Sequence, residues 1–550
     1  MGAGRGFRIL HTRAAAAGLW LGRQPLLAAA ACLLAGISCG YRAGLWGVAA
    51  AAALLCAAAA AFTRAPLRSV LGALFLLLAG WTLAARDRAG RDGEACRFRA
   101  LTQPQTYVCR VGPEVTVLPL RGRAAKHTFR AERLRTEDGT FVCRHLPVEV
   151  AWFGSAEESA GATPQPGETW RLRGSARVRK GRDGLPLLTL NTGEGRAARL
   201  AAISPSAWRA RIANARRSAA RRVVIGIETW GDIPALNQAM LLGSRHALPP
   251  VLRRVFVDSG TIHVFAISGL HIVLVAAVLS LAVAACGIPR TYWVLAIGPP
   301  LIFYTALTGA RPSAVRACLM ALLYLVAPLL GRRPNGLTAW AGTALIVYAL
   351  RPALLFDIGC ALSFTVMGGL VVFCRPFCLA GQRVCRVARL TERANLARAA
   401  GEKARARRLN MLTHAVTWMS DSFAVSLAAW LASVPLTAHY FGRFTPGGLF
   451  ANLVVGPCAF FIVVAGCLGV AASTVSEWVA ACFNHAAGCF TWVMVKTAQA
   501  AAACPGANLR IEPWPLWLVW LWLGTLLALA VWLRTRHPDG LSWLPEVNRS

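Results

Sequence analysis

Long apolar runs recur along the chain and are separated by short polar turns. Several lack charge, such as Ala43 to Phe62, Ser69 to Ala85 and Trp514 to Leu533, and they approach the roughly 20 residues that a helix needs to cross the hydrocarbon of a bilayer. With the N-terminal run from Leu26 to Cys39 and those after residue 258, the pattern predicts a polytopic α-helical membrane protein of roughly 10-11 transmembrane helices.

One stretch, from about residue 86 to residue 200, has a different pattern. Short β-branched and polar runs alternate there with Gly and Pro, which predicts an inserted small β-rich outer domain. A turn at Pro166, Gly167 and Glu168 precedes an alternating strand, and such short strands suit an OB-like barrel. The predicted strands are Thr106 to Val111, Val115 to Leu120, Phe141 to Trp152 and Thr169 to Val178.

These patterns divide the chain into five predicted parts. Residues 1-85 form an N-terminal membrane region of three helices, residues 86-200 the outer domain, and residues 201-257 amphipathic helices on the membrane surface, unless that part is a linker. Residues 258-535 form the main transmembrane domain and residues 536-550 a polar tail. Arginines before the first apolar run, and at the turn between the second and third, predict a cytoplasmic N-terminus and an outer location for the β-rich domain.

Composition excludes a soluble globular chain, because 56% of the residues are hydrophobic and 15% are charged. The formal net charge of +35 is compatible with anionic lipid, with nucleic acid or with both. The high Arg and Ala content is also typical of proteins from a GC-rich genome. The most basic loop runs from about Arg375 to Asn410 and is predicted to be cytoplasmic.

The sequence indicates no metal and no cofactor. Its 17 cysteines form no CxxC pair, and the absence of a GxxxxGK[ST] loop argues against nucleotide hydrolysis by this chain. Cys96, Cys109 and Cys143 lie in the predicted outer domain. Two of them could form a disulfide if that domain faces an oxidising compartment.

Polar residues at membrane depth are costly, so they are candidates for a transport pathway. Three clusters stand out, each with a structural alternative. The histidines could be hydrogen-bonded packing groups, Arg311 could snorkel at a helix end, and Asp357 could cap a helix N-terminus. Arg316 is the strongest candidate, because it lies a turn further into an apolar run and a planar guanidinium suits phosphate. The candidates are His263, Ser268, His271, Arg311, Ser313, Arg316, Asp357 and Ser363.

Three motif segments contain these residues, and a fourth lies further along the chain. The first, Gly260 to His271, reads Gly-Thr-Ile-His-Val-Phe-Ala-Ile-Ser-Gly-Leu-His. The second is Gly309 to Met320, the third Asp357 to Phe364, and the fourth Pro435 to Pro457, which contains Arg443 and Asn452. In this order the segments resemble the ComEC family of competence proteins, with Gly331 to Pro334 as a further match.

The resemblance implies an inner-membrane channel, formed by several copies of the chain, that passes single-stranded DNA into the bacterial cytoplasm during natural transformation. It also implies that the motif residues, Arg443 and Asn452 included, lie along the pathway. Implied partners are membrane lipid, a DNA receptor, an ATPase or helicase, and a separate nuclease. Many family members continue into a metallo-β-lactamase-like domain, and the sequence contains no HxHxDH run, so this chain is expected not to be an enzyme. A transporter or flippase for another anionic polymer or lipid remains an alternative, as does a membrane scaffold.

Overall fold

The protein is seen in a computed structural model that describes most of the chain after residue 24. The described residues are 25–42, 67–100, 104–119, 125–137, 139, 142–143, 148–154, 168–180, 186–201, 207–243, 249–265 and 269–536. The predicted span from Ala43 to Phe62, the candidate Ser268 and most of the predicted polar tail lie outside these residues.

Two N-terminal helices pair with each other, α1 (Pro25–Arg42) and α2 (Leu67–Ala100). The predicted boundary of the outer domain at residue 86 falls inside α2, which continues as one helix to Ala100. Ion pairs one turn apart, Arg91 with Asp87 and Arg88 with Asp92, favour helix in this charged stretch. The helix therefore carries the chain directly from the membrane region into the β-rich domain.

The described residues of the β-rich domain form six strands in one curled sheet: β1 Gln105–Pro119, β2 Ala125–Thr136, β3 Val142–Cys143, β4 Val148–Gly154, β5 Thr169–Lys180 and β6 Pro186–Ala201. The pairing runs β1-β5-β6-β4-β2, and β2 also pairs with β1. The five long strands thus close into a ring. Neighbours are antiparallel except β4 and β6, which are parallel.

The interior of this ring is filled by alternate strand residues and by the end of α2. Trp152 and Trp170 are buried and their ring centroids lie 5.4 Å apart. Phe98 of α2 packs against Tyr107 of β1, with centroids 6.3 Å apart. These contacts fix the domain on the end of the helix, and burial of large aromatic rings is among the strongest hydrophobic contributions that a small core contains.

The remainder of the described chain is helical. The helices are α3 Ala207–Arg222, α4 Ile233–Leu242, α5 Pro250–Asp258, α6 Gly269–Ala285, α7 Trp293–Leu307, α8 Pro312–Val326, α9 Gly336–Leu350, α10 Ile358–Val384, α11 Val387–Ala399, α12 Lys403–Phe441, α13 Gly447–Ala472, α14 Glu477–Ala503 and α15 Leu516–Arg536. Two-residue strands β7 (Arg443–Phe444) and β8 (Leu509–Arg510) pair near the end of α12.

Four of the described helices are long and apolar enough to cross a bilayer: α10, α12, α13 and α14, of 27, 39, 26 and 27 residues. Shorter apolar segments lie in α1, α4, α6, α8, α9 and α15. The fold is therefore mainly helical with an inserted β domain, and the count of roughly 10-11 spans stays a prediction.

Short connections join α6 to α10 in sequence, and short connections make neighbouring helices antiparallel. The ends of α7 and α9 and the starts of α6, α8 and α10 consequently lie at one end of the bundle. Cross-contacts agree with this placement, because the start of α8 contacts the starts of both α6 and α10. This end, called the motif end below, contains parts of all four motif segments.

Candidate functional site

The first and fourth motif segments meet through glycine backbone. Gly260 has a φ of +74°, and a Cβ built on it would lie 3.0 Å from Cβ of Thr445 and 3.3 Å from Cα of Gly448. Such a spacing admits only glycine without a local shift. Two segments almost 200 positions apart are therefore held in direct contact at the start of α13.

An ion pair crosses the same junction. Arg443 lies 3.0 Å from Asp258 through Nη1 and Oδ1, and Asn508 donates to the same carboxylate oxygen at 3.0 Å. Asp258 is the last residue of α5, two positions before the first motif segment. The predicted pathway residue Arg443 thus has a carboxylate partner, and sequence reasoning missed both Asp258 and Asn508. An acidic residue just ahead of the motif was the available signal for Asp258.

The two histidines of the first motif segment have different surroundings. His263 is exposed, on a 3₁₀ turn from Ile262 to Val264, with Nδ1 3.3 Å from the carbonyl of Gly260. His271 is fully buried in the first turn of α6. The structure thus places one imidazole at the surface of the motif end and the other inside the bundle.

The first and second segments also touch. A Cβ built on Gly269 would lie 3.2 Å from Cβ of Ala317 on α8. Ile272, Ala314 and Ala317 share one apolar core with residues of α7 and α13. Small residues at these positions let the first turns of α6 and α8 approach closely.

The second segment begins on a strained turn. Gly309 and Ala310 have φ values of +89° and +47°, and a non-glycine residue in this left-handed region is uncommon. Strained backbone of this kind concentrates at functional sites. The next residue, Arg311, precedes α8 and donates from Nη2 to the carbonyl of Gly243 at 2.6 Å.

Arg311 is one of three donors at the C-terminal end of α4. Tyr304 donates to the carbonyl of Leu241 at 3.1 Å, and Arg216 donates to that of Leu242 at 3.1 Å. Carbonyls at a helix C-terminus lack intrahelical partners and favour cations. Arg311 therefore performs a structural task here, and Arg216 and Tyr304 gave no sequence signal that singled them out.

Arg316 connects the second and third segments. It is 4% exposed, donates from Nη2 to the carbonyl of Gly359 at 3.0 Å, and places its guanidinium carbon 6.0 Å from the ring centroid of Phe364. Its Nε has no hydrogen-bond partner among the described residues. Since a guanidinium has five N–H donors, unused donor capacity remains beside a glycine that is itself exposed.

Asp357 caps α10, because its Oδ1 accepts a 2.7 Å hydrogen bond from the backbone N–H of Cys360. This is the structural alternative that the sequence left open. Ser313, Ser363 and Asn452 are half-buried on α8, α10 and α13. The structure thus brings segments one, two and three together around the starts of α6, α8 and α10, with segment four joined through Gly260.

The β domain presents a separate basic surface. Arg171, Arg173, Arg177 and Arg179 are exposed on β5 and alternate with less exposed residues such as Leu172. Arg171 pairs with Glu137 at 3.1 Å. The other three appear in no ion pair within the described residues, so they can take anionic partners.

Cys96, Cys109 and Cys143 are present as thiols, so the disulfide that the sequence allowed is not formed among the described residues of this domain. Cys109 and Cys143 both pair with Leu134, from opposite sides of β2. Two strand spacings of about 4.8 Å separate them by roughly 10 Å, and a disulfide needs Cα atoms within about 7 Å. Cys143 donates to Oε2 of Glu94 at 3.2 Å, and Cys96 is exposed on α2.

Comparison with known families decides what these segments represent. The family model described as Competence protein matches residues 240–536, which include all four motif segments. The chain belongs to the competence protein family. ComE operon protein 3 of Bacillus subtilis (strain 168) is 27% identical over 235 residues, 43% of this chain and 26% of that protein. Competence protein ComA of Neisseria gonorrhoeae is 31% identical over 157 residues, 27% of this chain and 22% of that protein.

An uncharacterized protein of Aquifex aeolicus (strain VF5) is 33% identical over 132 residues, 24% of this chain and 31% of that protein. The matches therefore span about a quarter to a third of the length of these relatives. No solved structure matches the chain. Family membership, together with the apolar helices, identifies a membrane protein whose motif residues gather at one end of a helical bundle.

Proposed function

We propose that this chain forms a conduit in the bacterial inner membrane that passes one strand of DNA into the cytoplasm during natural transformation. Membership of the competence protein family and the similarity to proteins named for competence support a role in DNA uptake. The role is transport rather than catalysis, and the driving force comes from other proteins, since the sequence has no phosphate-binding loop.

Charge supports the orientation. The connections at the end opposite to the motif end carry Arg290, then Arg332 and Arg333, then the basic loop from about Arg375 to Asn410. Basic connections favour the cytoplasm. The motif end then faces outward, on the same side as the β domain that follows α2. DNA would therefore contact the motif segments as it enters the bundle.

The observation that carries the proposal is the buried Arg316, whose Nε has no hydrogen-bond partner among the described residues, next to exposed Gly359. An arginine held inside an apolar bundle is costly unless it serves a pathway. A phosphate at this point would replace the neutral carbonyl of Gly359 with a charged acceptor, and hydrogen bonds to charged acceptors are roughly twice as strong as neutral ones. Arg316 is then a contact for the moving strand.

The outer domain is the entry surface. Its ring of five strands, with one parallel pair between β4 and β6, supports an OB-type barrel, a fold that binds single strands. The exposed arginines of β5 supply phosphate contacts without base readout. Several copies of the chain, lipid, a DNA receptor, an ATPase or helicase, and a nuclease complete the proposed system.

The decisive experiment is DNA uptake in a strain that lacks the gene. Strand-specifically labelled DNA should reach the cytoplasm as a single strand only in cells complemented with this chain. Normal uptake without it would reject the proposal. A loss of anionic lipid or polymer transport, with DNA uptake intact, would favour the flippase alternative that the buried arginine also allows.

A further inference from the structure

A helical hairpin forms the basic loop at the end of the bundle opposite to the motif end. Helix α11 (Val387–Ala399) turns at Gly401, which has a φ of +75°, into the start of α12. Ala394, Ala397 and Ala406 are buried between the two helices, and small residues allow such close approach. Between Arg375 and Asn410 the sequence contains ten Lys and Arg residues and two Glu residues. The hairpin is therefore a rigid and strongly cationic element.

A groove of about 360 Å³ lies on this hairpin. Arg398 of α11 lines it together with Lys403, Arg407, Asn410 and His414 of α12. The four α12 residues follow at intervals of four, three and four, which places them along one face of the helix. The cationic and amide side chains thus follow one helix face over roughly three turns, whereas the wall of the groove itself is mostly apolar.

The cations of the groove are available to a ligand. No carboxylate is among its lining residues, and Glu402, at the adjacent turn, pairs with Arg405 at 3.0 Å. Arg398, Lys403 and Arg407 are exposed and take part in no ion pair within the described residues. Cations that lack a carboxylate partner, arranged along one helix face with an amide among them, can contact successive phosphates of a nucleic-acid strand.

The length of α12 carries the cationic end of the groove, Lys403 and Arg407, away from the lipid. At 1.5 Å per residue its 39 residues span about 58 Å, against about 30 Å of hydrocarbon. Trp418 is 50% exposed, and an exposed Trp on a spanning helix is typical of the membrane interface. Lys403 lies about 22 Å beyond it, whereas the head-group layer is only about 5–7 Å thick on each side.

We propose that this groove binds the phosphodiester backbone of single-stranded DNA as the strand leaves the membrane on the cytoplasmic side. The inference rests on the proposed function. Helix α12 connects the groove with the motif end, because its N-terminal part lines the groove and its C-terminal part belongs to the fourth motif segment. Phosphates captured there bias the strand against backward movement.

The test uses the full chain in lipid nanodiscs, with a photo-crosslinking residue in place of Met411, which lines the groove and is 65% exposed. The probe is an end-labelled oligothymidylate. We expect an adduct whose formation weakens with salt. In Lys403→Gln/Arg407→Gln the slope of log affinity against log salt should become shallower by about 1.4, since each phosphate contact on a single strand contributes about 0.7. Arg389→Gln/Arg393→Gln removes the same charge outside the groove and should leave the slope unchanged.

Two outcomes would overturn the inference. One is an adduct that Lys403→Gln/Arg407→Gln does not weaken relative to the control pair. The other is crosslinking to anionic lipid instead of DNA, which would make the groove a head-group site. DNA uptake in cells distinguishes the groove proposal from the conduit proposal. If uptake requires the chain but is normal with Lys403→Gln/Arg407→Gln, only the groove proposal is rejected. If uptake does not require the chain, the conduit proposal is rejected.

Discussion

Arg316 on α8 donates a hydrogen bond of 3.0 Å from Nη2 to the carbonyl oxygen of Gly359 on α10. The two residues are 43 positions apart in the chain, and their contact joins the second and third motif segments beneath an exposed surface. The proposed pathway depends on this junction more than on any other single contact.

Arg316→Ala should reduce DNA uptake by roughly 10- to 100-fold, because a hydrogen bond to a charged donor contributes about 1.5–3 kcal/mol and 1.4 kcal/mol is a factor of ten. Membrane abundance should stay close to that of the unsubstituted chain. Arg290→Ala, on an exposed turn of the opposite end and outside the motif segments, is the matched control and should leave uptake unchanged. If abundance falls in proportion to uptake, Arg316 is a packing residue.

Substitution of Gly260 should destabilise the protein for two reasons: its positive φ and its close contact with the start of α13. Gly260 and Gly287 have similar φ values, +74° and +70°, but a Cβ at Gly287 would meet nothing within 4 Å. Gly287→Ala should therefore cost only the left-handed strain of about 1–2 kcal/mol. Gly260→Ala should cost more, measured by thermal unfolding in detergent, because it also displaces Thr445 or Gly448. Equal losses would show that the close approach is not maintained.

How much of this could be predicted from the sequence depends on the range of the interaction. Apolar length predicted a series of membrane helices after residue 258 without the individual bounds of α10, α12, α13 and α14, and alternation predicted strands β1, β4 and β5. Strands β2 and β6 were not predicted, because charged residues and glycines interrupt their alternation. Residues 86–100 belong to α2 and not to the β-rich domain, because ion pairs one turn apart favour helix in this charged stretch.

For the site, chemistry alone selected Arg316 and the cap at Asp357, both of which the structure places in defined contacts. The partners were not predictable. The carbonyls of Leu241, Leu242 and Gly243 accept from residues 26 to 68 positions away, and no spacing rule links such distant groups. Arg443 was selected as a pathway residue, but its pairing with Asp258 only appears once α5 and β7 are adjacent.

Cysteine reactivity should report the fold of the outer domain. Cys96 is exposed, whereas burial raises the pKa of the Cys109 thiol to about 12 and Cys143 is also buried. In a Cys504→Ser background, because Cys504 is also exposed, a membrane-impermeant maleimide added outside intact cells should label Cys96 but should label Cys109 and Cys143 only after denaturation. Because the pKa is raised, the folded domain holds the Cys109 proton more tightly than the unfolded chain does. The stabilisation of the fold that results is complete below the ordinary thiol pKa and is lost as the pH rises toward 12. Labelling of Cys109 in the native protein, or a Cys109–Cys143 disulfide in mass mapping, would contradict the β2 register.

The arginines of β5 should account for most DNA binding by the outer domain. Residues 86–201 contain the aromatic core that includes Phe98, Trp152 and Trp170, and should bind single strands weakly and without sequence preference. Arg173→Gln/Arg177→Gln/Arg179→Gln should make the salt slope shallower by about 2, at about 0.7 for each contact. Arg171→Gln, which removes an arginine already paired with Glu137, is the control and should have a smaller effect per residue. Binding that does not depend on salt would assign the domain to assembly.

The passage of a strand along the joined motif segments is tested most directly by trapping DNA during uptake. A photo-crosslinking residue replaces Ser363, which is half-buried on α10 one turn beyond Gly359. Illumination of cells that are taking up strand-labelled DNA should give an adduct with one strand only, and Arg316→Ala should abolish the adduct. Uptake that proceeds at the normal rate without any DNA adduct at Ser363 would contradict the account, because the strand would then cross the membrane by another route.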